Sequence, residues 1–258
     1  MEELKVTLIQ SHLHWENPVA NHTHFSAVFD TIKEATDLIV LPEMFTTGFT
    51  MNAELLAEKS DGTTVLWMQS EANKHNAAIT GSLIIEDQGL YYNRLFFVHP
   101  DGTIDTYNKK HTFTLAGEHK IFTAGKNLQQ IKYKGWKIRP LVCYDLRFPV
   151  WARNTDAYDV LLYVANWPDR RVAAWDALLK ARAIENLSYC IGVNRTGLDG
   201  NGHPYTGHSA AYDVLGEQIS TPLFEKEFVE TITLKKEHIE KNRKQLQFLN
   251  DADHFTLE

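Results

Sequence analysis

Short apolar runs recur along almost the whole chain, and they constrain the fold more than any other feature of the sequence. They cover residues 5–10, 37–41, 77–86, 91–100, 136–143, 159–166, 189–196, 208–214 and 227–234. Each run is about as long as a β-strand and is bounded by residues that favour turns. The dipeptides Asp101-Gly102 and Lys134-Gly135 predict hairpins over 91–107 and 129–143.

Helical patterns lie between these runs. Apolar residues at helical spacing, or charged residues on an exposed face, predict helices over 21–35, 64–75, 171–189 and 235–244. We expect Thr63 to cap the second of these helices, with Val65, Leu66 and Met68 on its buried side. Alternating strands and helices, with hairpins in the middle of the chain, predict a single α/β domain in which helices pack on sheets.

Composition and charge exclude several classes of protein. The formal net charge is −7, and the 26 Lys and Arg residues are scattered, so nucleic acid is not an expected partner. No apolar stretch is long enough to span a membrane, and the first residues lack the layout of a signal peptide. Cys143 and Cys190 both lie in apolar runs, which indicates reduced thiols and a cytoplasmic protein.

Cys143 stands where an apolar run ends and polar residues begin, in the stretch IRPLVCYDLRFP at 138–149. A buried cysteine is often only a small apolar side chain, and we assign Cys190 to that role. Chemistry in α/β proteins, however, is concentrated where strands end. An ordinary thiol is mostly protonated at neutral pH, so a nucleophilic Cys143 needs a base or a positive neighbour.

Several charged residues could supply that help. Glu43 follows the apolar run 37–41 and Pro42, which places it at the end of a strand like Cys143. Lys109 follows the predicted hairpin strand, and a partly buried lysine holds an anionic oxygen well. Glu118 could pair with that lysine. Taken alone, each of these residues is also compatible with a solvated loop.

Together, the sequence blocks around these residues resemble the nitrilase superfamily of carbon-nitrogen hydrolases. The blocks are LPEMF (41–45), YNKKH (107–111) and VCYDLRFP (142–149), in the order found in that family. The resemblance continues through ANWP (165–168), KARAIEN (180–186), VNRTG (193–197) and GHSAAYDVLGE (207–217).

The resemblance implies an α-β-β-α sandwich formed by one domain over 1–258, with a core of about 4–234 and a C-terminal helix and tail at 235–258. It implies that Glu43 is the general base, Lys109 the oxyanion stabiliser and Cys143 the nucleophile, with Glu118 supporting the site. It also implies a homodimer that needs neither metal nor organic cofactor.

Within the superfamily, CYDLRFP is similar to the amidases, and most similar to the omega-amidases. Members that cleave nitriles typically have Trp-Glu after the cysteine, where this chain has Tyr144-Asp145. The expected substrate is then the terminal amide of a 2-oxo-dicarboxylate. Arg147 would bind its distal carboxylate, the backbone N–H of Tyr144 would contact the oxyanion, and Trp167 would form part of the pocket wall. The alternative is that Arg147 forms a structural ion pair, for example with Asp145.

Other interpretations stay open at this stage. A cysteine–histidine hydrolase would use His111, His203 or His208 as its base. The alternating pairs His12/His14 and His22/His24 would each share one face of a strand, but no cysteine or carboxylate cluster completes a metal site, so we predict none. Another amidase, carbamoylase or deaminated-glutathione amidase of the superfamily, or a non-catalytic binding protein, also fits the sequence.

Overall fold

The computed structural model describes residues 2–256, which form thirteen strands and seven α-helices. The strands are β1 (Glu3–Gln10), β2 (Leu38–Val40), β3 (Ala78–Asp87), β4 (Leu90–Val98), β5 (Ile104–Asn108), β6 (Ile131–Tyr133), β7 (Trp136–Val142), β8 (Val160–Val164), β9 (Tyr189–Val193), β10 (Thr196–Leu198), β11 (Pro204–Thr206), β12 (Ala210–Tyr212) and β13 (Phe228–Lys235). The helices are α1 (Pro18–Phe29), α2 (Ala53–Leu56), α3 (Thr63–His75), α4 (Glu118–Ile121), α5 (Pro149–Ala152), α6 (Val172–Asn186) and α7 (Lys236–Leu246).

Most strands belong to two stacked sheets. The first sheet has the order β13-β1-β2-β3-β4-β5, and the second has the order β12-β9-β8-β7-β6. In each sheet three neighbouring strands are parallel: β1, β2 and β3 in the first, and β7, β8 and β9 in the second. The carboxyl ends of these parallel strands are the places where loop residues can meet in such sheets.

Side-chain alternation explains why the sheets stack. Leu38 and Val40 of β2 join an apolar cluster that includes Leu141 of β7, so they lie between the sheets. Ile39, between them in sequence, belongs to a second cluster with Phe25 of α1. Because both faces of β2 are covered, its sequence is apolar throughout rather than alternating.

Helices cover the two outer faces and complete an α-β-β-α sandwich. Helices α1 and α3 pack on the first sheet, and α6 packs on the second. Helix α6 lies very close to β9, because a Cβ placed on Gly192 would be 2.5 Å from Leu179 and 2.6 Å from Trp175. The sandwich expected from the sequence is confirmed. No helix within residues 2–256 has both the length and the apolar character needed to cross a membrane.

The structure corrects the details of two helices. Helix α1 begins at Pro18, capped by the side chain of Asn17, and ends at Phe29 instead of continuing to residue 35. The cap of α3 is Gly62, and Thr63 is already helical, so the prediction for Thr63 is wrong. Leu66 was expected on the buried side of this helix, but 60% of it is exposed.

Candidate active site

Cys143 immediately follows β7 and begins a 3₁₀ turn over Cys143–Arg147. Its φ of +45° lies in the left-handed region, which costs a residue other than glycine about 1–2 kcal/mol. The change of backbone direction leaves Cys143 in the wall of a cavity, although only 9% of the residue is exposed. The abrupt change from apolar to polar residues at Cys143 therefore corresponds to a strained turn at the end of β7.

The side chain of Lys109 joins two carboxylates in the interior. Its Nζ lies 2.9 Å from Oε1 of Glu43, 3.0 Å from Oε1 of Glu118 and 2.9 Å from Oε2 of Glu118. These three side chains are at most 1% exposed. Glu43 comes from the end of β2, Lys109 from the end of β5 and Glu118 from the start of α4, so the structure brings together residues that are far apart in sequence.

The charges of this cluster depend on one another. Burial alone would lower the pKa of Lys109, but the carboxylates of Glu118 and Glu43 raise it above its ordinary value. Lys109 is therefore an ammonium group at neutral pH. Burial and the nearby Glu43 also raise the pKa of Glu118, against the lowering effect of Lys109. Burying two carboxylates and one ammonium group away from water would be unfavourable without the direct contacts among them.

The Cys143 thiol lies beside this cluster. Burial and the negative charge of Glu43 raise the pKa of Cys143 well above its ordinary value, although the Lys109 ammonium lowers it. The resting side chain is consequently a thiol rather than a thiolate at neutral pH. Its Sγ donates a long hydrogen bond of 3.8 Å to the main-chain oxygen of Asn166. Any nucleophilic reaction of this sulfur requires a neighbouring group to accept its proton.

Two asparagines that the sequence analysis did not identify position Glu43. The side chain of Asn93, in β4, donates a hydrogen bond of 2.7 Å to Oε1 of Glu43. The backbone N–H of Asn166, just beyond β8, donates one of 2.8 Å to Oε2. An asparagine inside an apolar strand such as β4 was the available signal, because a buried amide needs polar partners.

Asp145 fixes the turn that carries Cys143. Its carboxylate accepts hydrogen bonds from the backbone N–H of Val142 at 3.0 Å, from Tyr107 at 2.7 Å and from both the backbone and the ring of His111. Asp145 is fully buried. Within residues 2–256 it forms no ion pair with Arg147.

The cavity beside Cys143 has a volume of about 540 Å³, a size suited to a small molecule. Lys109, Tyr144, Arg147 and Trp167 contribute to its wall. The guanidinium of Arg147 lies over the Trp167 ring, 4.9 Å from its centre. Trp167 is itself 3% exposed and packs on the buried Trp175, so it is both a wall of the cavity and part of the core.

Arg170 and Arg171 also line the cavity, and the sequence analysis did not identify either of them. The guanidinium of Arg171 lies 4.9 Å from the centre of the Phe113 ring. Arg147 lines the same cavity, and burial together with the positive charges of Arg170 and Arg147 lowers the pKa of Arg171. A pair of adjacent arginines after ANWP was the only sequence signal, and it equally fits a solvated turn.

Two of the three histidines considered as alternative bases have other partners. His111 is bonded to Asp145, and His208 contacts Asp176 at 3.0 Å. His203 lines the cavity. Within the described chain, no histidine is hydrogen-bonded to Sγ of Cys143, and the groups that shift its pKa are Glu43, Lys109 and Glu118.

Comparisons with known proteins agree with this fold and this arrangement. The model of the carbon-nitrogen hydrolase family matches residues 5–244. The omega-amidase YafV of Yersinia enterocolitica is 48% identical over 84% of each chain, and that of Escherichia coli K12 is 43% identical over 100% of each chain. The solved structure of XC1258 from Xanthomonas campestris, a CN-hydrolase superfamily protein with an arsenic adduct in its active site, has a TM-score of 0.97 and 40% identity over 100% of each chain.

The chain belongs to the carbon-nitrogen hydrolase family, the nitrilase superfamily to which its sequence blocks point. It is an enzyme of that family, and its relatives place it in the omega-amidase-like branch.

Proposed function

We propose that the protein is an omega-amidase that hydrolyses the terminal amide of a 2-oxo-dicarboxylate, with 2-oxoglutaramate or 2-oxosuccinamate as substrate. The YafV protein of Escherichia coli K12, which matches the whole chain, is named an omega-amidase. The observation that carries the proposal is the composition of the cavity wall, where a buried thiol and several cations face the same space.

The cations suit a substrate with a carboxylate. Arg147, Arg170 and Arg171 all line the cavity, and within residues 2–256 none of their guanidinium groups forms a hydrogen bond or an ion pair with a protein group. Like charges held close together in a partly buried site repel one another unless an anion joins them. We assign Arg147 to the distal carboxylate, because its planar guanidinium can form two parallel hydrogen bonds with it. Arg170 and Arg171 add positive potential nearby.

The reaction begins at the thiol. Glu43 accepts the proton of Cys143 while Sγ attacks the amide carbon, which agrees with a resting thiol of raised pKa. Negative charge develops on the amide oxygen. The ammonium of Lys109, kept charged at neutral pH by Glu118 and Glu43, stabilises that oxygen. The N–H of Tyr144 has no acceptor inside the 3₁₀ turn, because the first N–H groups of a helix are free, and it contributes the second donor.

The second half of the reaction releases the acid. Glu43 passes its proton to the amide nitrogen, ammonia leaves, and a thioester remains on Cys143. Water that is deprotonated by Glu43 then attacks the thioester carbon, and the proton returns to sulfur as the 2-oxo acid departs. Apart from the substrate and water, these steps use only groups of this chain. We infer in addition a cytoplasmic homodimer that binds no nucleic acid.

A substrate panel tests the proposal. We expect ammonia release from 2-oxoglutaramate and 2-oxosuccinamate, slower release from amides of similar length without a carboxylate, and none from the matching nitriles. Cys143→Ala should abolish release, whereas Cys190→Ala, which changes the buried thiol of β9, should retain it. Equal rates on amides with and without a carboxylate would refute the substrate assignment.

A further inference from the structure

A second cluster of chemically reactive side chains lies outside the cavity. One ring nitrogen each from His12, His14 and His24 lies within 4.8 Å of the others. The ring centres of His12 and His24 are 4.5 Å apart, and those of His12 and His14 are 4.8 Å apart. None of these histidines is in the cavity wall. The cluster therefore has no part in the amidase chemistry proposed above.

The fold, rather than sequence proximity, creates this cluster. His12 and His14 follow β1 in an extended segment, whereas His24 belongs to α1. His22 lies two residues earlier on that helix and faces elsewhere, where its ring stacks on Trp67 and contacts Thr64 at 2.8 Å. The pair His12/His14 thus stays together, whereas the pair His22/His24 is divided, and His24 alone joins His12 and His14.

Two of the histidines are held through one ring nitrogen and leave the other available. Nδ1 of His12 contacts the carboxylate of Glu227, so its Nε2 is the nitrogen left for a ligand. Nε2 of His24 lies 2.6 Å from the hydroxyl of Ser11, which leaves its Nδ1. Metal-bound histidines almost always have their second nitrogen held in this way by a carboxylate or another polar group.

The third histidine is free to adjust. The His14 residue is exposed, and within residues 2–256 its ring forms no hydrogen bond, although its backbone N–H is held by Asn21 at 2.9 Å. Zn²⁺ binds imidazole nitrogen at about 2.0–2.1 Å. Three such bonds bring the nitrogens closer together than 4.8 Å, and rotation of the exposed His14 ring provides that movement. Water would complete the four-coordinate shell on the exposed side.

We propose that His12, His14 and His24 form a binding site for a divalent transition-metal ion of the zinc type, with Glu227 and Ser11 orienting two of the ligands. The set consists of neutral nitrogen ligands, which favour Zn²⁺, Cu²⁺ or Ni²⁺ over Mg²⁺ or Ca²⁺. The ion would join the end of β1 to α1 and, through Glu227, to the start of β13. His12 also forms a β-bridge with Thr196, at the base of the β10–β11 hairpin, so the ion would stabilise the fold at that point.

Titration of the chelator-treated protein with Zn²⁺ alone tests this proposal. We expect one ion per chain and a rise in melting temperature on binding. His14→Ala should remove both effects without altering the circular dichroism spectrum, because its side chain is exposed. His254→Ala, an exposed histidine in the C-terminal tail, is the matched control and should bind like the wild type. Glu227→Gln should weaken binding about 10- to 100-fold.

A further variant separates this site from the thiol. Cys143→Ala should still bind one Zn²⁺ per chain, because the histidine ligands are unchanged. If the zinc ion were held by Cys143 and Glu43 instead, this variant would lose it. The proposal is overturned if His14→Ala binds Zn²⁺ as tightly as the wild type, or if Cys143→Ala loses the ion. Amide hydrolysis is not needed for any of these readouts, so they stand apart from the proposed function.

Discussion

Asn166 forms two hydrogen bonds with Glu43. Its backbone N–H donates one of 2.8 Å to Oε2, and its side-chain amide donates the other to the main-chain oxygen of Glu43. Glu43 follows a strand of the first sheet and Asn166 a strand of the second. The main-chain oxygen of Asn166 also accepts the thiol of Cys143. A single residue therefore connects the proposed base to the proposed nucleophile across the interface between the sheets.

Replacing this asparagine should affect catalysis more than folding. Asn166→Ala removes the side-chain bond but keeps the backbone bond to Oε2, so we expect a loss of stability of about 1–3 kcal/mol. Because Glu43 is then less well placed, kcat on 2-oxoglutaramate should fall about 10- to 100-fold with a smaller change in KM. An unaltered kcat would contradict this positioning role.

Lys109 and its neighbour Lys110 offer a matched comparison. Lys109→Met leaves the buried carboxylates of Glu43 and Glu118 without a counter-ion, which should cost about 3–5 kcal/mol of stability. Its activity should fall at least about 10²-fold, because the oxyanion loses a charged donor. Lys110→Met affects a half-buried side chain over the Trp151 ring and should retain most activity. Measurements are ammonia release and urea unfolding.

A second substitution separates charge repulsion from the loss of catalysis. Glu118→Gln in the Lys109→Met background removes one of the two buried negative charges. It should recover part of the stability, whereas activity should stay low. If stability fell further in the double variant, the account of this cluster as a balance of buried charges would be wrong.

Arg147 should determine the preference for substrates with a carboxylate. Arg147→Met keeps most of the contact with Trp167 but removes the charge, and kcat/KM on 2-oxoglutaramate should fall about 10- to 100-fold. Hydrolysis of an amide of the same length without a carboxylate should hardly change, which provides the internal control. Parallel losses on both substrates would mean that Arg147 acts on the structure of the site and not on the substrate carboxylate.

The buried thiol should make the protein less stable at alkaline pH. The folded pKa of Cys143 is raised above the ordinary value of 9.0, so above about pH 9 the folded chain keeps a proton that the unfolded chain releases. The unfolding free energy of the wild type, relative to Cys143→Ala, should therefore decrease by up to about 1.4 kcal/mol per pH unit. Urea unfolding at pH 8 and pH 10 measures this difference. A constant difference between the two proteins would contradict the raised pKa.

Gly192 should be essential for the packing of α6 on the second sheet. In Gly192→Ala the added methyl group meets the side chains of Leu179 and Trp175 at less than 3 Å. Helix α6 must move outward, and we expect a loss of about 1–3 kcal/mol in the unfolding free energy. Gly89→Ala serves as the comparison: a Cβ there would meet nothing within 4 Å, and φ is +79°, so this variant reports backbone strain without a clash, whereas Gly192, whose φ is not positive, reports the clash.

Most of the framework could be predicted from the sequence because its strands are apolar on both faces. Leu38–Val40 is buried throughout, and in the strand before Cys143 every residue except Lys137 is buried, so both strands and their ends can be recognised in the single sequence. The β10–β11 hairpin was missed because its strands have three residues each and little apolar character. Thr63 and Leu66 were misjudged because the start of α3 is set by Gly62, and its buried face depends on contacts with the first sheet.

The candidate site divides in a similar way. Glu43, Lys109, Glu118 and Cys143 stand at ends of regular elements, and the family resemblance singled them out. Their roles in catalysis stay predictions. Asn166 acts through hydrogen bonds across the sheet interface, which no local pattern reveals, whereas Asn93 bonds Glu43 within the first sheet and left only the weak signal of a polar residue in an apolar strand. Arg171 reaches the cavity only because the turn before α6 folds back over Phe113.

The division of the reactive groups between the two sheets also bears on how the enzyme matures. The first sheet carries Glu43, Asn93 and Lys109, in its strands or directly after them. The second sheet carries Cys143 and Asn166 in the same way. A partly folded chain with either sheet alone holds an ordinary, inactive thiol. Hydrolytic competence should thus appear only in the last docking event of folding, and recovery of turnover during refolding would time that event directly.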